Sequence, residues 1–169
     1  MPGDASSTGR HGFRFVDRWS VPLPPGDVYD LLARPRYYPL WWHRGVVTCT
    51  SFDDGEPRVG RRATLVVRGF LPYALTMTST AVELDRPRLI VADSTGDLLG
   101  RGEWVLAEDG EGGTRADFDW RVEVVKPLER RLAPALRPLL AANHRWTMRR
   151  GEDGIARHGP AVLGALGER

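Results

Sequence analysis

Apolar and charged residues alternate without a break between residues 114 and 124. One set of positions holds Thr114, Ala116, Phe118, Trp120, Val122 and Val124, and the other holds Arg115, Asp117, Asp119, Arg121 and Glu123. A period of two residues is typical of a β-strand with one buried and one solvated face. This segment therefore predicts a strand whose aromatic face lines the interior.

Six further segments have weaker forms of the same pattern. They predict strands over residues 13–21, 46–52, 61–69, 73–84, 89–94 and 98–107, and turn-forming Gly, Pro and Asp residues separate most of them. Strands joined by short turns pair with their sequence neighbours in antiparallel fashion. The chain is therefore expected to form one antiparallel sheet of seven strands.

Helical spacing of apolar residues marks three segments. Val28, Leu31 and Leu32 predict a short helix over residues 25–33, and residues 37–42 predict another short turn of helix. A long helix is expected over residues 128–158. Its inward stripe consists of Leu132, Leu136, Leu140, Asn143, Thr147, Gly151 and Gly154.

Together these elements predict an α+β fold in which a curved seven-stranded antiparallel sheet wraps around the long C-terminal helix. Two short helices follow the first strand. We expect residues 13–158 to form this single domain, since 169 residues suit one domain. Residues 1–12 are interpreted as a flexible leader and residues 159–169 as a flexible tail.

Composition excludes several functional classes. The net charge is only +2, and no run of Lys or Arg alternates with stacking aromatic residues, so nucleic-acid binding is not expected. The one cysteine, Cys49, allows no internal disulfide, and no histidine spacing suits a metal, so neither a metal site nor a cofactor is expected. Stable membrane insertion is not expected either, and we expect a cytoplasmic protein that is a monomer or a homodimer.

A sheet curled around a helix leaves space between them, and aromatic residues are concentrated on the predicted inner faces. The predicted cavity residues are Trp41, Trp42, Phe70, Tyr73, Trp104, Phe118, Trp120, Leu140, Asn143 and Thr147. Gly100 and Gly102 share a face with Trp104, where they either leave room for a cavity or mark a bend. The same aromatic residues could equally fill a solid core.

Few residues are suited to chemistry. His144, at the edge of the inward helical stripe, is the candidate for proton transfer, and His43 is a weaker one near the expected rim. Asp17 shares a face with Phe15 and Trp19 and is the second catalytic candidate. Its burial would require a partner such as Arg150, and a structural salt bridge of this kind is the favoured alternative to a catalytic role.

Two other carboxylates, Asp93 and Glu103, would lie near the cavity under one choice of strand register. The sequence contains no Ser-His-Asp order, nucleophile elbow or phosphate-binding loop.

Two segments carry a family resemblance. Residues 94–104 (STGDLLGRGEW) and 143–152 (NHRWTMRRGE) resemble signatures of the START-like, helix-grip (SRPBCC) superfamily, and are most similar to its polyketide cyclase/dehydrase and lipid-transport group. Residues 28–32 and 38–42 are similar to the usual opening of that group. The resemblance implies a hydrophobic ligand held between the sheet and the long helix. Some members cyclise or dehydrate aromatic polyketides, and others only carry ligands.

Two functions remain open. The first is binding of an aromatic polyketide-like or lipid-like molecule, for which an apolar pocket with Asn143 and Thr147 as anchors suffices. The second is a polyketide cyclase or dehydratase acting in the same cavity, where orientation of the substrate alone can supply about 7–11 kcal/mol. Regulation through a partner protein is a third, less favoured interpretation.

Overall fold

The computed structural model describes residues 12–42, 46–125 and 127–167, and the side chains of all of these except 127–136. The strands are β1 Gly12–Val21, β2 Val47–Phe52, β3 Arg62–Arg68, β4 Ala74–Asp85, β5 Leu89–Gly96, β6 Leu98–Glu108 and β7 Thr114–Val124. The helices are α1 Pro25–Leu32, α2 Tyr38–Trp41, which follows a 3-10 turn at Pro35–Tyr37, and α3 Pro127–Gly167.

The seven strands form one sheet in the order β1-β7-β6-β5-β4-β3-β2. Every neighbouring pair is antiparallel. Only β1 lies away from its sequence neighbour, because α1 and α2 carry the chain from one sheet edge to the other. The predicted α+β, helix-grip architecture is confirmed.

The strand registers place the aromatic residues on one concave face. Phe15 pairs with Trp120, and Trp104 pairs with Phe118. On β7 the apolar positions are buried or half-buried, whereas Arg115, Arg121 and Glu123 are exposed. The side-chain alternation therefore predicted the inward face of this strand correctly.

Helix α3 lies against this face and packs closely where it carries Gly151. A Cβ atom at that position would lie 2.6 Å from Trp42 and 2.7 Å from Trp19. Such distances are shorter than van der Waals contact, so the two indole rings occupy the space that a side chain would need. Trp42 also donates a hydrogen bond from Nε1 to the carbonyl oxygen of Thr147 at 3.0 Å. The close approach of α3 to these two rings therefore depends on glycine at position 151.

The end of α3 differs from the prediction. The helix continues to Gly167 rather than ending at His158, and Val162 is buried. A Cβ atom at Gly159 would lie 2.8 Å from Leu31 of α1. Residues 159–167 are thus helical and pack on α1, and interpreting them as a flexible tail was wrong. Ile155, Val162 and Leu166 recur at helical spacing, and this pattern in the sequence indicates that the helix continues past His158.

None of the helices within the described residues is both long enough and apolar enough to cross a membrane.

Candidate functional site

A cavity of about 410 Å³ lies between the concave face of the sheet and α3. Its wall is mostly apolar, with the rings of Trp42, Trp104, Phe118 and Trp120 on one part of it. The volume falls within the range of small-molecule sites, about 300–1,000 Å³. The space between sheet and helix is therefore large enough for a ligand and is not a solid core.

The two ends of the cavity differ in character. One end is apolar and is surrounded by Phe13, Phe15, Leu98, Val122 and Val124, which belong to one buried cluster. The other end lies at the β2–β3 turn and the 3-10 turn, where half-buried and exposed residues line it. These residues are Arg34, Pro35, Arg36, Phe52, Asp53, Pro57, Arg58, Arg61 and Arg62. We call this second end the mouth.

Most of the cavity residues named from the sequence lie on its wall. They are Trp42, Tyr73, Trp104, Phe118, Trp120, Leu140, Asn143 and Thr147. They come from several places that are distant in the chain, among them the segment after α2, strands β6 and β7, and α3. The sheet registers and the packing of α3 bring them together.

Trp41 and Phe70 do not line the cavity. Trp41 is fully buried and stacks on Trp42 at 5.2 Å between ring centroids, so it belongs to the core behind the wall. Phe70 is 47% exposed and makes an edge contact with the half-buried Trp146 of α3. Trp41 is the last residue of α2, whereas Trp42 follows it in extended backbone, and only Trp42 reaches the cavity.

The two glycines of β6, Gly100 and Gly102, are each required by a different close contact. A Cβ atom at Gly100 would lie 1.9 Å from the carbonyl oxygen of Arg121, so this glycine allows close approach of the β7 backbone. A Cβ atom at Gly102 would lie 3.0 Å from the Phe118 ring. Gly102 lines the cavity and leaves room for an aromatic ring on its wall.

Asn143, nominated as a ligand anchor, also holds a loop in place. Its Oδ1 accepts a hydrogen bond from the backbone N–H of Leu71 at 3.2 Å, and a Cβ atom on Gly69 would collide with the amide. The loop between β3 and β4 is therefore fastened to α3 beside the cavity. Oδ1 keeps a second lone pair and Nδ2 carries two N–H donors, so the amide retains capacity to hydrogen-bond a ligand.

The hydroxyl group of Thr147 forms a hydrogen bond within the helix. Oγ1 donates to the carbonyl oxygen of Asn143, one turn earlier, at 3.0 Å. The hydroxyl oxygen keeps its acceptor capacity toward the cavity, but its proton is used. Thr147 is therefore a weaker ligand anchor than its position on the helix suggests.

His144 lines the cavity and forms a buried pair with Asp17, which does not line it. His144 Nε2 lies 2.6 Å from Asp17 Oδ2, and both side chains are about nine-tenths buried. The imidazole stacks on Phe15 at 4.0 Å between centroids and lies 5.7 Å from the Trp120 ring. The two residues nominated separately for proton transfer thus contact each other, with a carboxylate orienting a histidine.

The prediction that Asp17 pairs with an arginine such as Arg150 was wrong. Arg150 lies over the Trp146 ring at 4.9 Å, on a different part of α3 from His144. Asp93 pairs with Arg101 on the outer face of the sheet at 2.6 Å, and Glu103 is exposed, so neither carboxylate reaches the cavity. His43 lies outside the described residues.

Tyr38 lines the cavity and was missed by the sequence analysis. Its hydroxyl donates to the carbonyl oxygen of Leu32 at 2.6 Å, and burial raises the pKa of this phenol well above its usual value. The phenol therefore stays neutral near pH 7, and its hydrogen bond joins the end of α1 to the start of α2.

Ser94 is a second missed wall residue. It is buried, and its hydroxyl has no hydrogen-bond partner among the described residues. A buried polar group without a partner is costly, by about 1–3 kcal/mol.

We therefore expect Ser94→Ala to leave the free energy of unfolding unchanged or to raise it by up to about 1 kcal/mol in urea denaturation. Thr114→Val is the matched control, because the buried Thr114 hydroxyl donates to Leu23 at 2.6 Å. The control is expected to lose about 1–3 kcal/mol. Equal losses in both variants would show that Ser94 has a partner.

The described residues contain no group of three or more His, Cys, Asp or Glu side chains arranged to hold a metal ion. Burial raises the pKa of the Cys49 thiol, which keeps it protonated and poorly nucleophilic. The polar chemistry of the cavity wall thus centres on the Asp17–His144 pair and the Asn143 amide.

The sequence matches the family model for polyketide cyclase/dehydrase and lipid transport over residues 13–158. This match covers nearly the whole domain described above. The chain belongs to that family. It is accordingly a START-like, SRPBCC protein, as the segments at 94–104 and 143–152 suggested. No curated protein matches the chain.

Solved structures show the same fold. The ZhuI aromatase/cyclase from a Streptomyces species (R1128) is 16% identical, with a TM-score of 0.66, and the match covers 93% of this chain and 99% of that one. The protein TTHA0849 from Thermus thermophilus is 19% identical, with a TM-score of 0.64, covering 88% and 98%.

The di-domain aromatase/cyclase BexL, from the BE-7585A biosynthetic pathway, is 24% identical with a TM-score of 0.59. The match covers 89% of this chain and 52% of BexL. At these identities the likeness establishes a shared polyketide cyclase/dehydrase-type fold, and the activities named belong to those proteins.

Proposed function

We propose that this protein binds a hydrophobic small molecule, aromatic polyketide-like or lipid-like, in the cavity between the sheet and α3. The observation that carries the proposal is the aromatic-lined space of about 410 Å³. Membership of a family described as polyketide cyclase/dehydrase and lipid transport supports the same class of ligand. An apolar ligand gains free energy by leaving water, and flat rings pack well against Trp104, Phe118 and Trp120.

Orientation of the ligand would come from few polar groups. The Nδ2 amide of Asn143 and the imidazole of His144 come from adjacent positions of α3 and both line the cavity. Sites of this kind are mostly apolar with a small number of polar contacts that fix the ligand's orientation. A ligand with a carbonyl or hydroxyl group near one end of its ring system would suit both.

The direct test is titration with N-phenyl-1-naphthylamine, a neutral aromatic probe whose emission rises in apolar surroundings. We expect saturable binding with one site per chain and quenching of tryptophan emission, because tryptophans line the cavity. Isothermal calorimetry gives the stoichiometry independently. No saturable binding in either measurement would contradict the proposed function.

A second candidate function, cyclase or dehydratase, is favoured by the Asp17–His144 pair. If Asp17 holds the Nε2 proton, His144 Nδ1 carries a lone pair and can act as a base, as in other carboxylate–histidine pairs. For a β-hydroxy carbonyl substrate, Nδ1 would remove the α-proton. The double bond then forms as the β-hydroxyl leaves, and the proton held on His144 converts it to water.

This second candidate predicts a large loss of turnover in His144→Ala. Removing a general base typically costs about 10²- to 10⁴-fold in rate. Dehydration of a β-hydroxy thioester, followed by the absorbance of the conjugated product, measures the loss. Asp17→Asn should lower the rate less and shift its pH profile, since the carboxylate acts through the histidine.

Probe binding separates the two functions. Both variants are expected to keep their affinity for N-phenyl-1-naphthylamine within about threefold, because His144 forms only one part of the wall. If wild type shows no turnover with any β-hydroxy or poly-β-ketone thioester, or if His144→Ala keeps full turnover, the pair is a structural one.

A further inference from the structure

The mouth of the cavity is rich in arginine. Its lining residues include five arginines, Arg34, Arg36, Arg58, Arg61 and Arg62, and one carboxylate, Asp53. The opposite end of the cavity is formed by apolar side chains. The cavity thus changes from apolar to cationic along its length.

Two of the arginines, Arg34 and Arg36, already contact carboxylates or aromatic rings of the protein. Arg34 pairs with Asp30 at 3.0 Å and with Glu56 at 2.6 Å, so its charge is neutralised. Arg36 lies over the rings of Tyr37 and Phe52, at 4.7 and 4.9 Å from their centroids, and is 3.8 Å from Asp54. These contacts fix both side chains in the rim of the mouth.

The other three arginines have no carboxylate partner among the described residues. Arg58 donates to the backbone carbonyl oxygen of Asp54 at 3.3 Å, and Arg61 donates to that of Asp53. The backbone N–H of Arg62, rather than its guanidinium, contacts the Asp53 carboxylate at 2.9 Å. Backbone carbonyls orient a guanidinium without neutralising it, so positive charge remains at the mouth.

The guanidinium of Arg61 is partly buried and lies near that of Arg58. Burial and the neighbouring Arg58 lower the pKa of Arg61 from its usual value, although Asp53 and Glu56 oppose the change. The acidic groups Asp54 and Glu56 are almost fully exposed and pair with Arg36 and Arg34, not with Arg58, Arg61 or Arg62. An anion at the mouth would relieve the repulsion between Arg58 and Arg61.

We propose that the ligand is an amphiphile whose apolar body occupies the cavity and whose anionic end, a carboxylate or a phosphate, binds Arg58, Arg61 and Arg62 at the mouth. This inference rests on the proposed function, because it names the ligand class of the same cavity. Hydrogen bonds between guanidinium groups and anionic oxygens are charge-assisted and stronger than neutral ones. Arginine also matches the geometry of both anions.

A matched pair of probes tests the charge requirement. 8-Anilinonaphthalene-1-sulfonate and N-phenyl-1-naphthylamine share the same apolar body, and only the first carries an anionic group. Wild type is expected to bind the sulfonate about tenfold more tightly at low salt, the size of one charge-assisted contact. The preference should shrink in about 0.5 M salt, because the contact lies at the surface.

The double variant Arg58→Gln/Arg61→Gln should lose this preference and keep its affinity for the neutral probe. Arg149→Gln, a charge removal on the exposed face of α3 away from the cavity, is the control and should bind both probes as wild type does. Thermal unfolding checks that all variants remain folded. If neither probe binds wild type, the proposed function fails. If the neutral probe binds and the sulfonate shows no preference that depends on Arg58 and Arg61, this inference alone is overturned.

Competition by dodecanoate, dodecyl phosphate and dodecanol then distinguishes the source of the anion. Each compound displaces the neutral probe from the same cavity. Tighter displacement by dodecanoate than by the other two assigns a carboxylic acid, and tighter displacement by dodecyl phosphate assigns a phosphate ester. Equal displacement by all three, dodecanol included, would contradict an anionic ligand.

Discussion

Ala92→Trp is expected to abolish binding of N-phenyl-1-naphthylamine. Ala92 lies on β5 and lines the cavity opposite Gly102. An indole at this position fills a large part of the available 410 Å³ and leaves too little room for the three-ring probe. Affinity should fall by more than about 100-fold, since a ligand excluded by overlap loses its whole apolar contact.

The control for this variant is Thr95→Trp, which adds the same side chain to the opposite, exposed face of β5. It should bind the probe with wild-type affinity. Circular dichroism and thermal unfolding show whether Ala92→Trp remains folded. A folded Ala92→Trp protein that binds the probe normally would mean that the ligand occupies some other surface.

Trp19→Ala is expected to have the largest effect on stability. The Trp19 ring is 2% exposed and lies 4.7 Å from the Trp104 centroid and 5.5 Å from that of Trp42. It also fills the notch that Gly151 leaves in α3. Truncation of a buried tryptophan costs about 3–5 kcal/mol, which is a large share of the stability of an ordinary domain.

Urea denaturation followed by circular dichroism measures this loss. Leu99→Ala, at a position that is 50% exposed on the outer face of β6, is the control and should change the free energy of unfolding by less than about 1 kcal/mol. A loss below about 1 kcal/mol in Trp19→Ala would show that α3 is not held on the sheet by this cluster.

The sequence contains enough information to assign the sheet. Side chains on a strand alternate between two faces, so the pattern at 114–124 determines both the strand and its inward side. Short turns then set the antiparallel order of neighbouring strands. The pairing of β1 with β7 is different, because it joins residues about a hundred positions apart, and no local pattern of the sequence indicates it.

Contacts between sheet and helix were harder to predict. The partner of Asp17 depends on the rotation and the axial position of α3, and a shift of one turn exchanges Arg150 for another residue. An arginine was the expected partner for a buried carboxylate, yet the observed partner is His144, which itself lines the cavity.

The prediction that Trp41 lines the cavity was wrong for a related reason. The direction of a four-residue helix is set by its packing, which the sequence pattern does not show.

The arginines of the mouth were missed because they come from two turns that are distant in the sequence. Arg34 precedes the 3-10 turn and Arg36 lies within it. Arg58 and Arg61 lie in the β2–β3 connection, and Arg62 begins β3. Each group resembles an ordinary solvated turn by composition. Only the packing of the 3-10 turn near β2 and β3 places the two groups on one opening.

The central claim is that an apolar ligand lies between the sheet and α3, and a crystal structure with a brominated naphthylamine tests it most directly. Anomalous scattering locates the bromine without reference to the rest of the map. We predict a bromine peak within the space bounded by Trp104, Trp120 and Leu140. A peak at the Phe70–Trp146 contact, with the internal space empty, would contradict the account.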